Sequence, residues 1–374
     1  MIRLEVTPVA SIARRPDGVW RARYRDPSGK EHARHFARKV DAQRWLDETT
    51  ASIVTGQYVG PNDGKVTFKE YAEAWRAAQV HRPSSTAHIE TTLRRHAYPL
   101  LGDRPLASIR PTEIQAWVKR LSLTLAPATV GVAHGVVASI FKAAVRDRKI
   151  RGSPCEGIRL PKQEPRKVVP LPTEAVQALA DAVPGRYRAL VVLAAGTGLR
   201  QGEVFGLTLD RVDFPVRTVT VDRQMVTLPG REPFHGPPKT AASYRTVPLP
   251  RVVLDALDEH LVAFPVGSSE LVFTTPKGEA LRRTAFSANV WRPAAASVGC
   301  TGVTFHQLRH YYASLLIRHG ESPKVVQVRL GHATAAETLD TYSQLWPDSE
   351  DRTREAVDAI LGVPADSSRT ETPP

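Results

Sequence analysis

With 374 residues, 42% of them hydrophobic and 24% charged, the chain has the make-up of an ordinary soluble globular protein of roughly two to three domains. No apolar run approaches the roughly 20 residues that span a bilayer, residues 1–10 hold no apolar signal core, and the two cysteines, Cys155 and Cys300, have no metal spacing, so a reducing cytosol is expected. The formal net charge is +13, and its excess lies forward: 11 Lys and Arg face 7 Asp and Glu in residues 1–60, 17 face 9 in 61–165, and 23 face 22 in 166–374. Such a front half suits a phosphate backbone, with a solvated basic surface as the plainer alternative.

In chain order, residues 19–25 alternate, with arginines on one face and Trp20, Ala22 and Tyr24 on the other, which predicts a strand. A turn at 26–29 and a second strand over 30–36 follow. Asp41 is placed to cap a helix running through Trp45 and Ile53, and residues 59–64 read as a linker. Thr67 and Glu70 form a capping-box pattern before a helix ending near Ala78. Further helices are expected over 84–93, after Pro111 with Ile114, Trp117, Val118 and Leu121 inward, and over 127–148 with Val132, Val136, Ile140 and Val145 inward. The proline-rich stretch 160–172 reads as an interdomain linker.

The rest of the chain is mixed. A helix begins at 172–174, and a buried one over 187–195 runs into Gly196 and Gly198. Residues 216–226 and 245–249 read as strands joined by a long turn. Thr304 is the expected N-cap of a helix carrying Phe305, Leu308, Tyr312, Leu315 and Leu316 inward and stopped at Gly320. A short helix over 325–330 ends at Gly331, and Thr334 and Glu337 form a second capping box with Tyr342 two turns on. The tail from Pro364 is polar and expected to be disordered.

Several of these residues suit phosphate chemistry. Arg200 falls at a helix start after a glycine turn, and Lys239 in the long turn between strands. His306 and Arg309, three apart, share a face near a helix N-terminus, an end that attracts anions. His332 follows Gly331, and Tyr342 lies on the next helix. Taken singly, each has an ordinary explanation: a tight turn, a solvated lysine, a polar helix face, a packing tyrosine. Their combination, in this order, is specific.

In that combination the chain resembles the tyrosine recombinases, or phage-type integrases. The matching strings are TGLRQGE at 197–203, KTAASYRTVPL at 239–249, HQLRH at 306–310, LGH at 330–332 and TLDTYSQLWP at 338–347. One departure stands out: the family usually has Asp where this chain has Gln307. The resemblance implies an α+β multidomain fold. Its parts are a small β-rich arm-type DNA-binding module (1–60), a helical core-binding domain (66–160), a mainly α catalytic domain with a small antiparallel sheet (170–350), and a C-terminal helix and tail (351–374).

It further implies a catalytic set of Arg200, Lys239, His306, Arg309, His332 and Tyr342, with Tyr342 as nucleophile and a 3′-phosphotyrosine intermediate. His306 accepts the tyrosine proton or orients the phosphate. The implied partners are double-stranded DNA, a homotetramer formed on it, a DNA-bending host factor and an excision factor; no cofactor or metal is called for, and the site of action is the nucleoid. The C-terminal helix is expected on a neighbouring protomer or on its own domain. Within the family a chromosome-dimer resolvase or transposon recombinase competes, though the basic front module favours an integrase. From other classes come a non-catalytic DNA-binding regulator, which the intact His, Arg and Tyr set disfavours, and a histidine-rich metallohydrolase. The last is disfavoured because there is no H-E-x-x-H pattern and Arg309 stands between two would-be ligands.

Overall fold

A computed structural model describes residues 10–164, 168–346 and 350–361, which divide into two compact units meeting at 164/165. The start 1–9, residues 165–167 of the predicted linker, and the tail from Pro364 lie outside the described residues.

The first unit opens with an antiparallel meander of β1 (Ser11–Arg14), β2 (Trp20–Arg25) and β3 (Glu31–Phe36). β2 alternates as its sequence predicts, burying Ala22 and Tyr24, while β1 pairs with it from Ser11↔Arg23 to Arg14↔Trp20. Helix α1 (Lys39–Val54) packs Ala42 and Leu46 onto that face, and Tyr24 and Tyr58 share a hydrogen bond of 2.8 Å between their hydroxyls. Asp41 does not cap α1. The N-cap is Arg38, and Asp41, one turn in, is paired with the Arg38 guanidinium at 2.7 Å.

A second core in this unit is built by α2 (Phe68–Ala78), α3 (Pro83–Thr92), α4 (Tyr98–Leu101), α5 (Pro111–Leu121) and α6 (Pro127–Arg146). A π turn over Leu93–Ala97 joins α3 to α4, so the predicted helix continues to Leu101. In α6 the buried stripe is Val130, Ala133, Val137, Ile140, Phe141 and Ala144; Val132 is exposed and Val136 and Val145 only half-buried, against expectation. By length and composition α6 could cross a membrane, contrary to the reading of the sequence, but this stripe is part of the unit's second core.

The capping box of α2 is complete. Thr67 Oγ1 accepts the Glu70 amide at 3.2 Å, and the Glu70 carboxylate accepts the Thr67 amide at 3.0 Å. Thr67→Ala should cost about 1 kcal/mol locally. Amide hydrogen exchange in the first turn of α2 should then quicken roughly fivefold. Unchanged protection there would remove the cap from the account.

The second unit begins with α7 (Thr173–Ala182), α8 (Arg188–Thr197) and α9 (Gln201–Phe205). An antiparallel sheet follows, with β4 (Val212–Asp213) and β8 (Arg245–Pro248) flanking β5 (Thr218–Val221). The predicted strand over 216–226 is broken at Asp222 and Arg223. Its end, β6 (Gln224–Val226), pairs instead with β7 (Phe234–Gly236), a strand inside what reads in the sequence as a long turn. The remaining helices are α10 (Arg251–Ala263), α11 (Arg283–Phe286), α12 (Arg292–Ser297), α13 (Gln307–Arg318), α14 (Pro323–Leu330), α15 (Ala335–Tyr342) and α16 (Glu350–Leu361). α8 lies at the centre, touching α7, α9, α10 and α13, and is buried almost all round, as its uniformly apolar sequence requires. On α16, Val357, Ile360 and Leu361 are exposed.

Candidate active site

Two glycine-ended helices and two helix starts bring the polar residues together. α8 ends at Gly198, whose left-handed φ of +65° suits glycine, and Arg200 then caps α9. α14 ends the same way at Gly331 (φ +66°), delivering His332. A Cβ at Gly331 would also stand 3.0 Å from the Ala242 carbonyl oxygen and from Arg245 Nη1, so both backbone and space call for glycine there. α13 begins at His306 rather than Thr304. Thr304 instead donates its amide to Gln307 Oε1 at 2.7 Å, so the side chain in the family's usual Asp position holds the entry to the helix. At the second predicted capping box Thr334 Oγ1 does accept the Glu337 amide, but the Glu337 carboxylate takes the Ala333 amide, not that of Thr334.

Arg309 points inward from α13 and is 2% exposed. Its Nη1 donates to the Gly198 carbonyl at 2.8 Å and Nη2 to that of Leu330 at 2.7 Å, tying the two glycine turns together. Arg200 donates from Nη1 to Glu203 Oε1 at 3.0 Å and to Ser243 Oγ at 3.2 Å, and from Nη2 to the Gly331 carbonyl at 3.1 Å. A guanidinium has five N–H donors, so both arginines retain donors for an anion. Burial, with Arg200 nearby, lowers the Arg309 pKa, yet the group stays cationic at neutral pH.

The anchor of this network is Glu203, a residue outside the predicted set. Buried on α9, it accepts from Arg245 Nη2 at 2.8 Å and Nη1 at 3.2 Å, as well as from Arg200. Burial alone would raise its pKa; the hydrogen bonds and charges of Arg245 and Arg200 outweigh that and hold it below the ordinary value. Arg245 also donates from Nε to the Arg329 carbonyl at 2.9 Å, fastening β8 to α14.

Tyr342 ends α15, buried (1% exposed), its ring parallel to that of His332. Its hydroxyl lies 2.8 Å from Nδ1 of His310. Burial pushes the phenol up to about 12, Glu337 adding to the rise and Arg309 and Arg200 opposing it. His332 Nδ1 is 2.8 Å from Thr338 Oγ1, and its imidazole is pushed down to about 4, by burial first and then by Arg309. His306 lies on the exposed rim, edge-on to His310 at 4.8 Å between ring centres. Burial and Arg309 lower both imidazoles, and at His306 the neighbouring His310 and Arg200 add to this, so both are neutral at pH 7. A groove of about 570 Å³ adjoins His306, with Arg283 and Arg292 in its lining.

Arg200, Arg309, His332 and Tyr342 thus converge from positions up to 142 residues apart, with His306 at the edge. Lys239 does not join them. It is exposed in the loop 237–240 that follows β7, not in the turn of the hairpin. That loop is tethered nearby, because Thr240 and Ser243 share a hydrogen bond of 3.0 Å and Ser243 meets Arg200. His310 was legible as part of the string HQLRH, but its place against Tyr342 was not. Among the described residues, no group of three or more His, Cys, Asp or Glu could hold a metal ion.

A buried tyrosine beside two arginines and two histidines makes a site suited to an anionic phosphodiester. Three family profiles match the chain in order: the N-terminal domain of phage integrases over residues 10–55, their central domain over 68–160, and the phage integrase family proper over 170–347. The integrase of Mycobacterium phage D29 is 28% identical, across 80% of this chain and 83% of its own. A tyrosine recombinase XerC-like protein of Caldanaerobacter subterraneus is 27% identical, across 90% and 94%. The fold matches that of the Tn1549 transposon integrase in complex with a circular-intermediate DNA, with a TM-score of 0.66 at 20% identity, covering 79% of this chain and 99% of that one. A lambda integrase tetramer bound to a Holliday junction gives a TM-score of 0.58 at 19% identity, covering 91% and 98%.

The chain belongs to the tyrosine recombinase family, the phage-type integrases, and is a site-specific DNA recombinase. The α+β class expected from the sequence holds.

Proposed function

We propose that the protein integrates and excises a phage or related mobile element, cutting and rejoining DNA through Tyr342. Tyr342 Oη attacks the scissile phosphorus, forming a 3′-phosphotyrosine and freeing a 5′-hydroxyl. One hard exchange becomes two easier ones, and the energy of the phosphodiester is kept for resealing. Arg200 and Arg309 clamp the non-bridging oxygens and stabilise the charge that grows on the pentacoordinate phosphorus. Lys239 swings in from its exposed loop to protonate the 5′-oxygen. His332 donates a hydrogen bond to the phosphate and His306 orients it. No cofactor or metal takes part.

The observation that carries this reading is the convergence of Arg200, Arg309 and His332 on one buried tyrosine from four separate helices. The arginine face of β2 grips arm-type DNA, and the helical core of the first unit grips the crossover site. The enzyme works as a homotetramer on double-stranded DNA at the nucleoid, with the exposed Val357, Ile360 and Leu361 of α16 seated on a neighbouring protomer. A DNA-bending host factor and an excision factor complete the assembly. The basic front sheet favours an integrase over a dimer resolvase or transposon recombinase, which share the catalytic chemistry.

The test is a nicked suicide duplex carrying the crossover site. The reading expects a covalent protein–DNA adduct without ATP or metal, and mass spectrometry should place the nucleotide on Tyr342. Sequence-specific binding without any adduct would leave only a DNA-binding regulator.

A further inference from the structure

The hydroxyl of Tyr342 has one hydrogen-bonding partner among the described residues, and it is a side chain outside the six named above: His310, at 2.8 Å through Nδ1. We infer that His310 is the base that removes the tyrosine proton during strand cleavage, a step that rests on the reading of Tyr342 as nucleophile. As the Oη–P bond forms and the P–O5′ bond breaks, the Oη–H bond breaks and Nδ1–H forms. The departing O5′ takes its proton from Lys239. Resealing reverses each transfer: the 5′-hydroxyl returns its proton to Lys239, and Nδ1 returns its proton to Oη.

The other candidates face elsewhere. His306 meets the ring of His310 rather than Tyr342 Oη. His332 lies parallel to the Tyr342 ring (interplanar angle 10°), and its Nδ1 is engaged with Thr338. Glu337 takes the Ala333 amide and stands 3.9 Å from His332 Nε2. His310 is also in the form a base needs. Its ring is half-buried and faces Arg309, which keeps it unprotonated and leaves Nδ1 free to accept from Oη. A phosphodiester seated on Arg200 and Arg309 would offset their charge and raise the basicity of the imidazole as attack begins. His306, edge-on to His310, holds that ring in place.

Single-turnover adduct formation by the full-length chain tests the assignment. His310→Ala and His310→Asn are each measured on a nicked duplex with the natural 5′-bridging oxygen, and on one with sulfur there, whose departure needs no acid. Asn can accept the Oη–H hydrogen bond but cannot take its proton. Both variants should bind the site like wild type and form adduct on the order of 100-fold more slowly, the usual worth of a general base. Sulfur should restore Lys239→Ala and neither His310 variant. A wild-type rate from His310→Asn would reduce His310 to a positioning residue, and rescue of either variant by sulfur would move it to the leaving group. A wild-type rate from His310→Ala would remove it from the reaction. Absence of adduct from the unaltered enzyme would instead overturn Tyr342 as nucleophile, and this inference with it.

Discussion

Tyr342→Phe will abolish the covalent protein–DNA complex while leaving recognition of the site intact. The substitution removes one oxygen from a ring that is otherwise fully packed, against Tyr312, Ile317, Val326 and Leu330 in its cluster and parallel to His332. Phe fills the same space, so the α13–α15 packing should survive. The structural cost is the hydrogen bond to His310, which on a half-buried neutral partner is worth about 1 kcal/mol. The chemical cost is far larger. Without Oη no phosphotyrosine can form, and the nearby hydroxyl of Ser243 is engaged with Arg200 and Thr240. The adduct yield on a nicked duplex should fall by at least about 10⁴-fold, beyond what loss of an auxiliary acid or base produces. Mobility shift at equal salt should report unchanged binding. Undiminished adduct from this variant would move the nucleophile to another residue.

How much of this was legible beforehand depends on how local each signal is. The capping box at Thr67, the C-terminal glycines 198 and 331, and the order of the site motifs are written in a few consecutive residues, and the fold keeps them. The register of α6 was misread because its core stripe uses Ala133 and Ala144, which carry little hydrophobic signal, while the conspicuous Val132 faces out. β6 and β7 are three residues each, too short for a period-two pattern to show. Asp41 has a capping side chain, but Arg38, three residues before it, captures that carboxylate. Within the site, the sequence places His310 one turn from His306 on the same helix. It cannot say that α15, some 30 residues on, packs its last residue against that ring. Glu203 was hidden for the same reason, since its main partner Arg245 lies 42 residues away and reaches it only in the folded chain.

Glu203 carries the second large effect. Among the described residues its carboxylate is the single counter-charge for two arginines in the same interior: Arg245, as buried as Glu203 itself with 3% of its side chain exposed, and Arg200. Removing one member of a buried pair leaves the other charge without compensation, at a cost of about 3–5 kcal/mol. Glu203→Ala should therefore lower the melting temperature of the catalytic unit by about 10 °C, given its size. Strand cleavage should fall with it, because Arg200, freed from Glu203, no longer holds the Gly331 turn that presents His332.

Glu203→Gln keeps the shape and loses the charge, so it isolates the electrostatic part, and pH separates that part further. The carboxylate pKa is lower in the folded chain than the value of about 4.3 of a free glutamate. The stabilisation is thus complete above that free value and is lost as pH falls through the lower, folded one. The stability gap between wild type and Glu203→Gln should be constant from pH 8 to about 5 and close below about 4. A gap that stays the same into acid would mean that the difference does not come from the charge of Glu203. A gap absent at neutral pH would mean that Arg245 is satisfied by the carbonyls of Ser243 and Arg329 without any counter-charge.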